Sequence, residues 1–574
     1  MDLKLMPMLI YSKKIFLIFS FLYFISAVSV RADAPDPVRS KNGIVVSASN
    51  LASKVGLQIL KKGGNAIDAA VAVGFALAVT YPSAGNIGGG GFMVIHLKDG
   101  KNITIDYREK APIRSTSSVY FDEKGNVVPE KIQEGILSAG VPGSVSGLIY
   151  ALEKYGTMKL ADVIQPAINL AEVGFPLEYR LAESIKSSLE DFKKYESTLN
   201  VFSKNGLPYL EGNVFKQPDL AFTLKQIKEK GRDGFYKGKV VELIVQQCQK
   251  LGGIISKEDL ENYEPVERQP ILGSYKGYEI VAMGPPSAGG IGLVQMLNVL
   301  ENFSFNKNEW GSSKYIHTLV ETMKYAYADR SVHLGDEDFY PVPKGWLISK
   351  QYSKEIFGKI SDEAIPSEKI FVGNPKLYKE SEETTHYSVY DGQGNAVSTT
   401  TTINSGYGSK VVVDGAGFLL NNEMDDFSVK PGFANQFGLM GSIANSIEPG
   451  KRMLSSMTPT IILKDGFPYL IVGSPGGSTI PTVVLQVVLN CINFKMDIQE
   501  AINQPRFHHQ WLPDQIDYEE FGMSEDVKNN LIKRGHKIGH IKSLGRVEGV
   551  LIDKENGIIF GATDPRGFGS AEGY

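Results

Sequence analysis

E-S-E-E-T-T-H-Y-S-V-Y-D, residues 380–391, is the stretch whose reading decides the fold. Two acids and two threonines stand directly ahead of an alternating run. The turn Gly392-Gln393-Gly394-Asn395 and a second run, A-V-S-T-T-T-T-I, follow. Alternation on either side of a Gly/Asn turn predicts a β-hairpin. The residue chemistry adds another reading. A threonine hydroxyl is a weak nucleophile without an adjacent base, and an N-terminal threonine carries one in its own α-amine. That amine has a pKa of about 7.7–8.0, so a useful fraction is neutral near pH 7. Backbone cleavage ahead of Thr384 would create such a residue at the mouth of a strand. Upstream, residues 352–383 are polar, rich in Lys, Glu, Ser and Pro, and weakly periodic. That composition predicts an exposed connector suited to a chain break. An uncut loop with a strand-entry threonine fits the same spacing.

Working outward, residues 43–49 read as a short strand and 51–62 as a helix stopped by Gly63-Gly64. Residues 66–80 are apolar all round and end at Tyr81-Pro82, which predicts a buried helix. Gly88 to Gly91 lead into F-M-V-I-H-L and I-T-I-D-Y-R, two further strands. Amphipathic helices alternate with Gly/Pro turns from about 144 to 327, and 481–491 reads as another buried helix. Strands and helices in both halves, with antiparallel hairpins, predict layered α+β packing around one core.

With 574 residues, 42% hydrophobic and 22% charged, the chain is long and apolar enough for a sizeable core. A net charge of -4 without a clustered positive field argues against nucleic acid as a partner. Lys13 and Lys14 precede an apolar run at 15–30 with small residues after it, the pattern of a secretory signal peptide, cut near Ala32 or Ala34. An uncleaved anchor is the competing reading. Periplasmic or secreted placement follows from the first. Cys248 and Cys491 are too few for a disulfide scaffold and read as buried thiols, with one bridge as the alternative. The Gly-rich loops lack the Lys of a P-loop and the third Gly of a dinucleotide site. His508-His509 lacks partners at zinc spacing and reads as a structural pair, and no G-x-S-x-G elbow is present. Gly476 and Gly477, after a strand and before a helix, could offer two N–H groups to an oxyanion.

At T-T-H-Y-S-V-Y-D the sequence resembles the γ-glutamyltransferase family of N-terminal-nucleophile (Ntn) hydrolases. The likeness extends through G-G-N-A-I-D-A-A-V-A (63–72), G-G-G-G-F-M (88–93), D-Y-R-E-K-A-P (106–112), G-V-P-G (140–143), G-P-P-S-A-G-G (284–290), L-L-N-N-E-M-D-D-F (419–427), L-S-S-M-T-P-T (454–460) and G-S-P-G-G-S (473–478). These lie in family order over nearly the whole mature chain. The resemblance implies an αββα four-layer sandwich and a precursor cut between Glu383 and Thr384. A signal at 1–32, a large subunit at 33–383 and a small subunit at 384–574 would result. It implies action on glutathione and other γ-glutamyl compounds, with water, an amino acid or a peptide as acceptor, and no metal or organic cofactor.

By the same resemblance Thr384 is the nucleophile, with Thr385 the adjacent alternative, and Thr402 positions it. Gly476 and Gly477 are the oxyanion donors. Arg108, Ser455 and Ser456 hold the glutamyl α-carboxylate, Glu423 and Asp426 the α-ammonium, and Asn404 orients substrate. Two departures stand out. Glu423 replaces a frequent Gln, and Phe437 in the lid at 432–441 replaces a tyrosine that would bond to Asn404. The rival readings are an Ntn acylase of the cephalosporin or glutaryl type and a non-catalytic secreted binding protein.

Overall fold

The computed structural model describes residues 35–85, 87–370, 384–430 and 433–574. The chain divides into a leading unit, Met1–Asp36, and a folded body, Pro37–Tyr574. The expected signal at 1–32 and the expected cleavage partner Glu383 lie outside the described residues. Among the described residues no helix is long and apolar enough to cross a membrane.

The strands that matter here are β1 (Val38–Ser40), β2 (Ile44–Ser47), β3 (Gly90–His96), β4 (Asn102–Asp106), β5 (Val266–Arg268), β6 (Ile271–Tyr275), β7 (Tyr278–Ala282), β8 (Thr385–Tyr390), β9 (Ala396–Thr402), β10 (Thr460–Lys464), β11 (Phe467–Gly473), β12 (Glu548–Asp553), β13 (Ile558–Thr563) and β14 (Ser570–Gly573). Sheet I runs β14-β2-β8-β9-β3-β4-β5, and sheet II runs β1-β13-β12-β11-β10-β7-β6. Every pairing in both is antiparallel.

Helices cover both outer faces. The helices used below are α1 (Asn50–Lys61), α2 (Ala66–Thr80), α3 (Tyr179–Ser187), α4 (Gly289–Leu300), α5 (Ser313–His333) and α6 (Ile480–Ile492). One core joins Val45, Met93, Ile95, Tyr387 and Val389 of sheet I to α1 and α2. A second joins Ile44, Val46, Phe92 and Val94 of sheet I to sheet II and to α4, α5 and α6. Alternate residues of one sheet thus enter different cores, as the period of two requires, and the layers read helix, sheet, sheet, helix. Every residue of α2 is buried, and a capping box of Asn65 with Asp68 starts it. Its all-round apolar sequence has no solvent face to serve.

Strand parity fixes where the two threonines point. Tyr387 and Val389 enter the helix-side core, whereas Ser388 Oγ faces sheet II and donates to Glu548 O at 3.0 Å. In β9, Ser398 Oγ donates to Val472 O of β11 at 3.2 Å, so Ser398, Thr400 and Thr402 face sheet II as well. The β8–β9 register sets Thr385 opposite Thr401. Thr384 therefore lies opposite Thr402 and shares its face, while Thr385 turns to the helices. Between the sheets, His386 Nδ1 stands 2.9 Å from Thr400 Oγ1 and Nε2 stands 3.1 Å from Ser388 Oγ. Burial pushes this histidine down to about 3, so it is a neutral structural group.

The expectation of an exposed connector from 352 onward is wrong for its first half. A helix, Lys350–Phe357, buries Tyr352 and Ile356, and Tyr352 OH donates to Asp329 at 2.8 Å. Ser367 Oγ donates to Asp514 at 2.8 Å, and Trp511 Nε1 donates to Ser367 O at 2.8 Å. The apolar pair at i and i+4 was masked by the Lys and Glu around it. Residues 371–383 lie outside the described residues. Cys248 and Cys491 are buried free thiols, as expected.

Candidate active site

Thr384 is 5% exposed and its Oγ1 donates to Thr402 Oγ1 across 3.5 Å. Thr402 Oγ1 also accepts from Asn404 N at 2.7 Å, which fixes its remaining hydrogen for other partners. Asn404 has φ +74°, a left-handed conformation that Asn tolerates better than most residues, and its Nδ2 donates to Asn422 O at 3.0 Å. Thr384 lines a small pocket with Thr402, Asn404, Arg108, Glu423 and Asp426. The Thr385 hydroxyl, on the opposite face, has no hydrogen-bond partner. The pleat thus sets Thr384 in this pocket and turns Thr385 away from it.

Arg108 follows β4 and its backbone is pinned on both sides. Its N donates to Asp106 Oδ1 at 2.9 Å, and its carbonyl accepts from Tyr263 OH at 2.8 Å. Asp106 is itself held by Arg268 Nε at 2.7 Å. The Arg108 guanidinium is fully buried, with Nη1 2.6 Å from Glu423 Oε2 and Nη2 bonded to Asp426. Burial acts to lower the Arg108 pKa, but Glu423, Glu109 and Asp426 together raise it. Glu423 and Asp426 sit on one 3-10 turn, Glu423–Asp426. Burial pushes both carboxyls up, and Arg108 pulls both down. The Arg108 guanidinium and the Thr402 hydroxyl both act on the Glu423 carboxylate, so Glu423 joins the nucleophile's neighbour to the charged pocket.

Ser455 and Ser456 close the far side of this pocket. Arg330, from the last turn of α5, donates to Ser456 Oγ at 3.4 Å. Sequence reading missed Arg330, because a lone arginine near the end of a mixed polar and apolar helix carries no local signal. It also missed Glu109, although that residue stands inside the D-Y-R-E-K-A-P motif. Gly477 lines the pocket, and Gly476, the residue before it, turns towards Thr479 and Gly545 instead. Both have positive φ, +132° at Gly476 and +50° at Gly477, which only glycine adopts cheaply. A Cβ on Gly477 would stand 2.7 Å from the Phe437 ring, so the lid rests on this loop.

Phe437 cannot supply the missing hydroxyl, but its neighbour ties the lid down. Ser405 Oγ donates to Gln436 Oε1 at 2.8 Å, Gln436 N donates to Asp425 Oδ2 at 3.0 Å, and Asn435 Nδ2 donates to Asp426 Oδ1 at 3.1 Å. The lid is therefore anchored one residue away from the departure noted in the sequence. His508 and His509 are structural, bonding to Thr482 Oγ1 at 2.8 Å and Asp514 Oδ1 at 3.2 Å. His317, Glu321 and His536 also gather closely. They satisfy one another and Lys324, with His317 Nδ1 2.7 Å from His536 Nε2 and Lys324 Nζ 2.8 Å from Glu321.

Comparison with known proteins bears directly on this arrangement. The family model described as Gamma-glutamyltranspeptidase matches residues 52–574. The chain belongs to the γ-glutamyltranspeptidase family. It is 48% identical over 539 residues to a glutathione hydrolase proenzyme of Escherichia coli K12, covering 94% of this chain and 92% of that protein. A solved chain of Helicobacter pylori gamma-glutamyltranspeptidase is 50% identical with TM-score 0.56, covering 61% of this chain and 99% of that one. A cephalosporin acylase from Bacillus halodurans superposes with TM-score 0.84 at 29% identity, over 96% of this chain and 98% of that one. At one rim of the sandwich the ends of β4, β8, β9 and β11 bring Arg108, Thr384, Thr402 and the Gly476 loop together.

Proposed function

We infer that this chain is a self-processing γ-glutamyltransferase and glutathione hydrolase. The observation that carries the reading is the pairing of Thr384 and Thr402 in a buried pocket of one guanidinium and two carboxylates. In the precursor, Thr384 Oγ attacks the carbonyl carbon of Glu383. The C–N bond breaks as the C–O bond forms, and the freed α-amine takes the proton. Water then hydrolyses the ester, leaving a carboxylate on Glu383 and an N-terminal Thr384. Residues 33–383 and 384–574 become the two associated subunits, and the signal at 1–32 directs the protein to the periplasm or outside.

In turnover the Thr384 amine accepts the hydroxyl proton, and Oγ attacks the γ-carbonyl of glutathione, glutamine or another γ-glutamyl donor. The Gly476–Gly477 loop, through its N–H groups, stabilises the oxyanion. The donor's α-carboxylate takes Arg108, Ser455 and Ser456, and its α-ammonium takes Glu423 and Asp426. Glu423 and Asp426 pair with Arg108, so the zwitterionic head group exchanges one set of ion pairs for another. Water or an amine of an amino acid or peptide completes the cycle. The second reading, an acylase, is favoured by the fold likeness to the cephalosporin acylase. It does not account for a buried arginine flanked by two acids, which matches a head group bearing both charges.

Intact masses of wild type and Thr384→Ala test the reading. Two chains in wild type, the smaller starting at Thr384, and one in the variant are expected. An uncut wild-type chain after prolonged incubation would falsify it, and a head-group-free acyl donor turned over as fast as a γ-glutamyl donor would select the acylase.

A further inference from the structure

Two arginines are buried at the head-group pocket, and their surroundings differ. Arg108 meets Glu423 and Asp426 directly, and these acids with Glu109 more than offset the burial of its charge. Arg330 has no such partners. Among the described residues no carboxylate forms an ion pair with its guanidinium, and its Nε has no hydrogen-bond partner. Its side chain donates one N–H, to Ser456 Oγ at 3.4 Å. Burial pushes the Arg330 pKa down, and nearby Tyr327 and Asp426 do not make up the loss. The adjacent acid, Asp329, is committed elsewhere, accepting from Gln295 Nε2 at 2.5 Å and from Tyr352 OH at 2.8 Å. A guanidinium keeps its charge at any working pH, so burying one without a counter-ion is costly. The C-terminal end of α5 offsets part of that cost, because the helix dipole favours a cation in the last turn. The dipole does not explain why the side chain reaches Ser456.

Arg330 belongs to a face of α5 that is turned to the site. Tyr327, three residues earlier and so on the same face, donates its hydroxyl to Ser478 O, next to Gly477. Tyr327 also packs with Phe437 and Leu439 of the lid. Arg330 extends this face to the serine pair. Ser455 and Ser456 are held in matching ways. Ser455 Oγ accepts from Met457 N at 3.2 Å, and Ser456 Oγ accepts from Arg330. A serine hydroxyl has one hydrogen and two lone pairs. Once a lone pair is taken by a donor, the hydroxyl hydrogen is left to find an acceptor of its own. Among the described residues neither hydroxyl donates to another protein group, and both serines line the pocket that holds Thr384. Both are therefore set as donors to a ligand there, and the one held by a cation is the stronger.

Resting on the γ-glutamyl reading of this pocket, we propose that Arg330 is a positioning residue that makes the site select donors with a charged carboxylate on Cα. It holds Ser456 as a donor to that carboxylate and places a second positive charge behind the serine. Arg108 meets the carboxylate directly, whereas Arg330 acts through the Ser456 hydroxyl. A carboxylate accepts at both oxygens. A carboxamide in its place brings no charge, and its NH2 group would face a hydroxyl that is already set to donate. The carboxylate bears its charge before, during and after attack at the γ-carbonyl. Arg330 therefore contributes to binding of ground state and transition state alike, and its loss is read in KM rather than in kcat.

The experiment compares donors that differ only at that group. Aniline release to water is followed with a γ-glutamyl anilide and with its α-carboxamide, and the ratio of the two kcat/KM values is taken. Wild type is expected to favour the acid by about 100-fold, the scale of a lost charge-assisted bond. Arg330→Met keeps the apolar stem and removes the charge. It should cut the ratio about 10-fold, through KM for the acid, and Arg330→Lys should recover part of the preference. Arg330→Gln is equally neutral and gives the same reading where Arg330→Met does not self-process. In a Ser456→Ala background the change at Arg330 should shift the ratio by less than about 3-fold, because the hydroxyl it acts through is gone. A merely structural arginine would slow both donors alike, and a ratio that Arg330→Met and Arg330→Gln leave unchanged overturns the proposal. Full additivity with Ser456→Ala overturns it too. Failure of the parent reading looks different: wild type itself would release no aniline, or would turn over acid and amide equally, and the proposal would fall with it.

Discussion

Two cavities of this molecule, the one that holds Thr384 and the one beside the end of β2, are built on opposite plans. The head-group pocket holds about 20 Å³ of free space and is walled by a buried guanidinium, buried carboxyls and two serines. The cavity on the β2 side holds about 450 Å³, is partly apolar, and its Arg180 stands at the surface. A tight pocket with every charge held in place recognises one fixed group at high cost to any misfit. The roomy one is lined by charges of both signs, Arg180, Arg546, Glu178 and Glu183, and imposes no single fit. The contrast teaches that the pocket around Thr384, and not the roomy cavity, is built to discriminate a small group bearing both charges.

The largest effect should come from the tight side. Arg108→Lys keeps the charge but removes the planar fork that meets two acids at once. Truncating one partner of a buried charge pair costs about 2–5 kcal/mol, so kcat/KM for a γ-glutamyl donor should fall about 100-fold, mostly through KM. Steady-state kinetics of purified enzyme decide it, and an unchanged KM would remove Arg108 from the head-group pocket. Thr402→Val ranks next. It leaves Asn404 N without its acceptor and Thr384 Oγ without its neighbour, and an unmade buried bond costs about 1–3 kcal/mol. Self-cleavage, followed by gel against time, should slow about 10-fold or more, with Thr402→Ser close to wild type. Equal rates in Val and Ser variants would mean that the hydroxyl has no part.

Much of the tight pocket was legible in the sequence because its residues lie in short motifs at strand ends. Arg108, Glu423, Asp426, Ser455 and Ser456 all arrive at one place. The α2 helix was legible too, since all-round apolarity leaves it nowhere to go but inside. What periodicity could not give was long-range. Arg330 reaches Ser456 from the last turn of a 21-residue helix, and nothing local marks it. The helix at Lys350–Phe357 was read as connector because two buried side chains among charges leave too short a stripe. The β2-side cavity draws on segments some 500 residues apart, Ala48 and Phe568, which only the β2–β14 pairing unites.

Acidity offers a sharper probe of the tight side. Burial, aided by neighbouring Asp426, pushes the Asp425 carboxyl up to about 7. An acid raised on folding contributes stability that is full below its unfolded pKa, about 4, and is lost as pH rises through about 7. Asp425→Asn keeps an oxygen to accept from Gln436 N and removes the titration. Thermal midpoints taken from pH 5 to 8.5 should therefore fall more steeply in wild type than in Asp425→Asn. The difference is bounded by about 1.4 kcal/mol per pH unit for a single proton. Parallel curves would show that Asp425 stays ionised throughout.

The smallest effect is expected at the lid, where the comparison between the pockets meets the Phe437 departure. Gln436 joins the lid to Ser405 through one hydrogen bond, and a single such bond contributes about 1 kcal/mol. Gln436→Ala should raise amide hydrogen exchange in residues 433–440 about 5-fold and alter donor KM by a similar or smaller factor. The exchange of α3 and of the β2-side cavity should not change, since the lid rests on Gly477 and on Trp511 rather than on that side. Phe437→Tyr in the Gln436→Ala background restores a hydroxyl beside Asn404 and should recover the lost protection. If Gln436→Ala leaves protection as it was, the lid is held by the packing of Phe437 and Leu439 alone. The departure from tyrosine would then be compensated by apolar contact rather than by a displaced hydrogen bond.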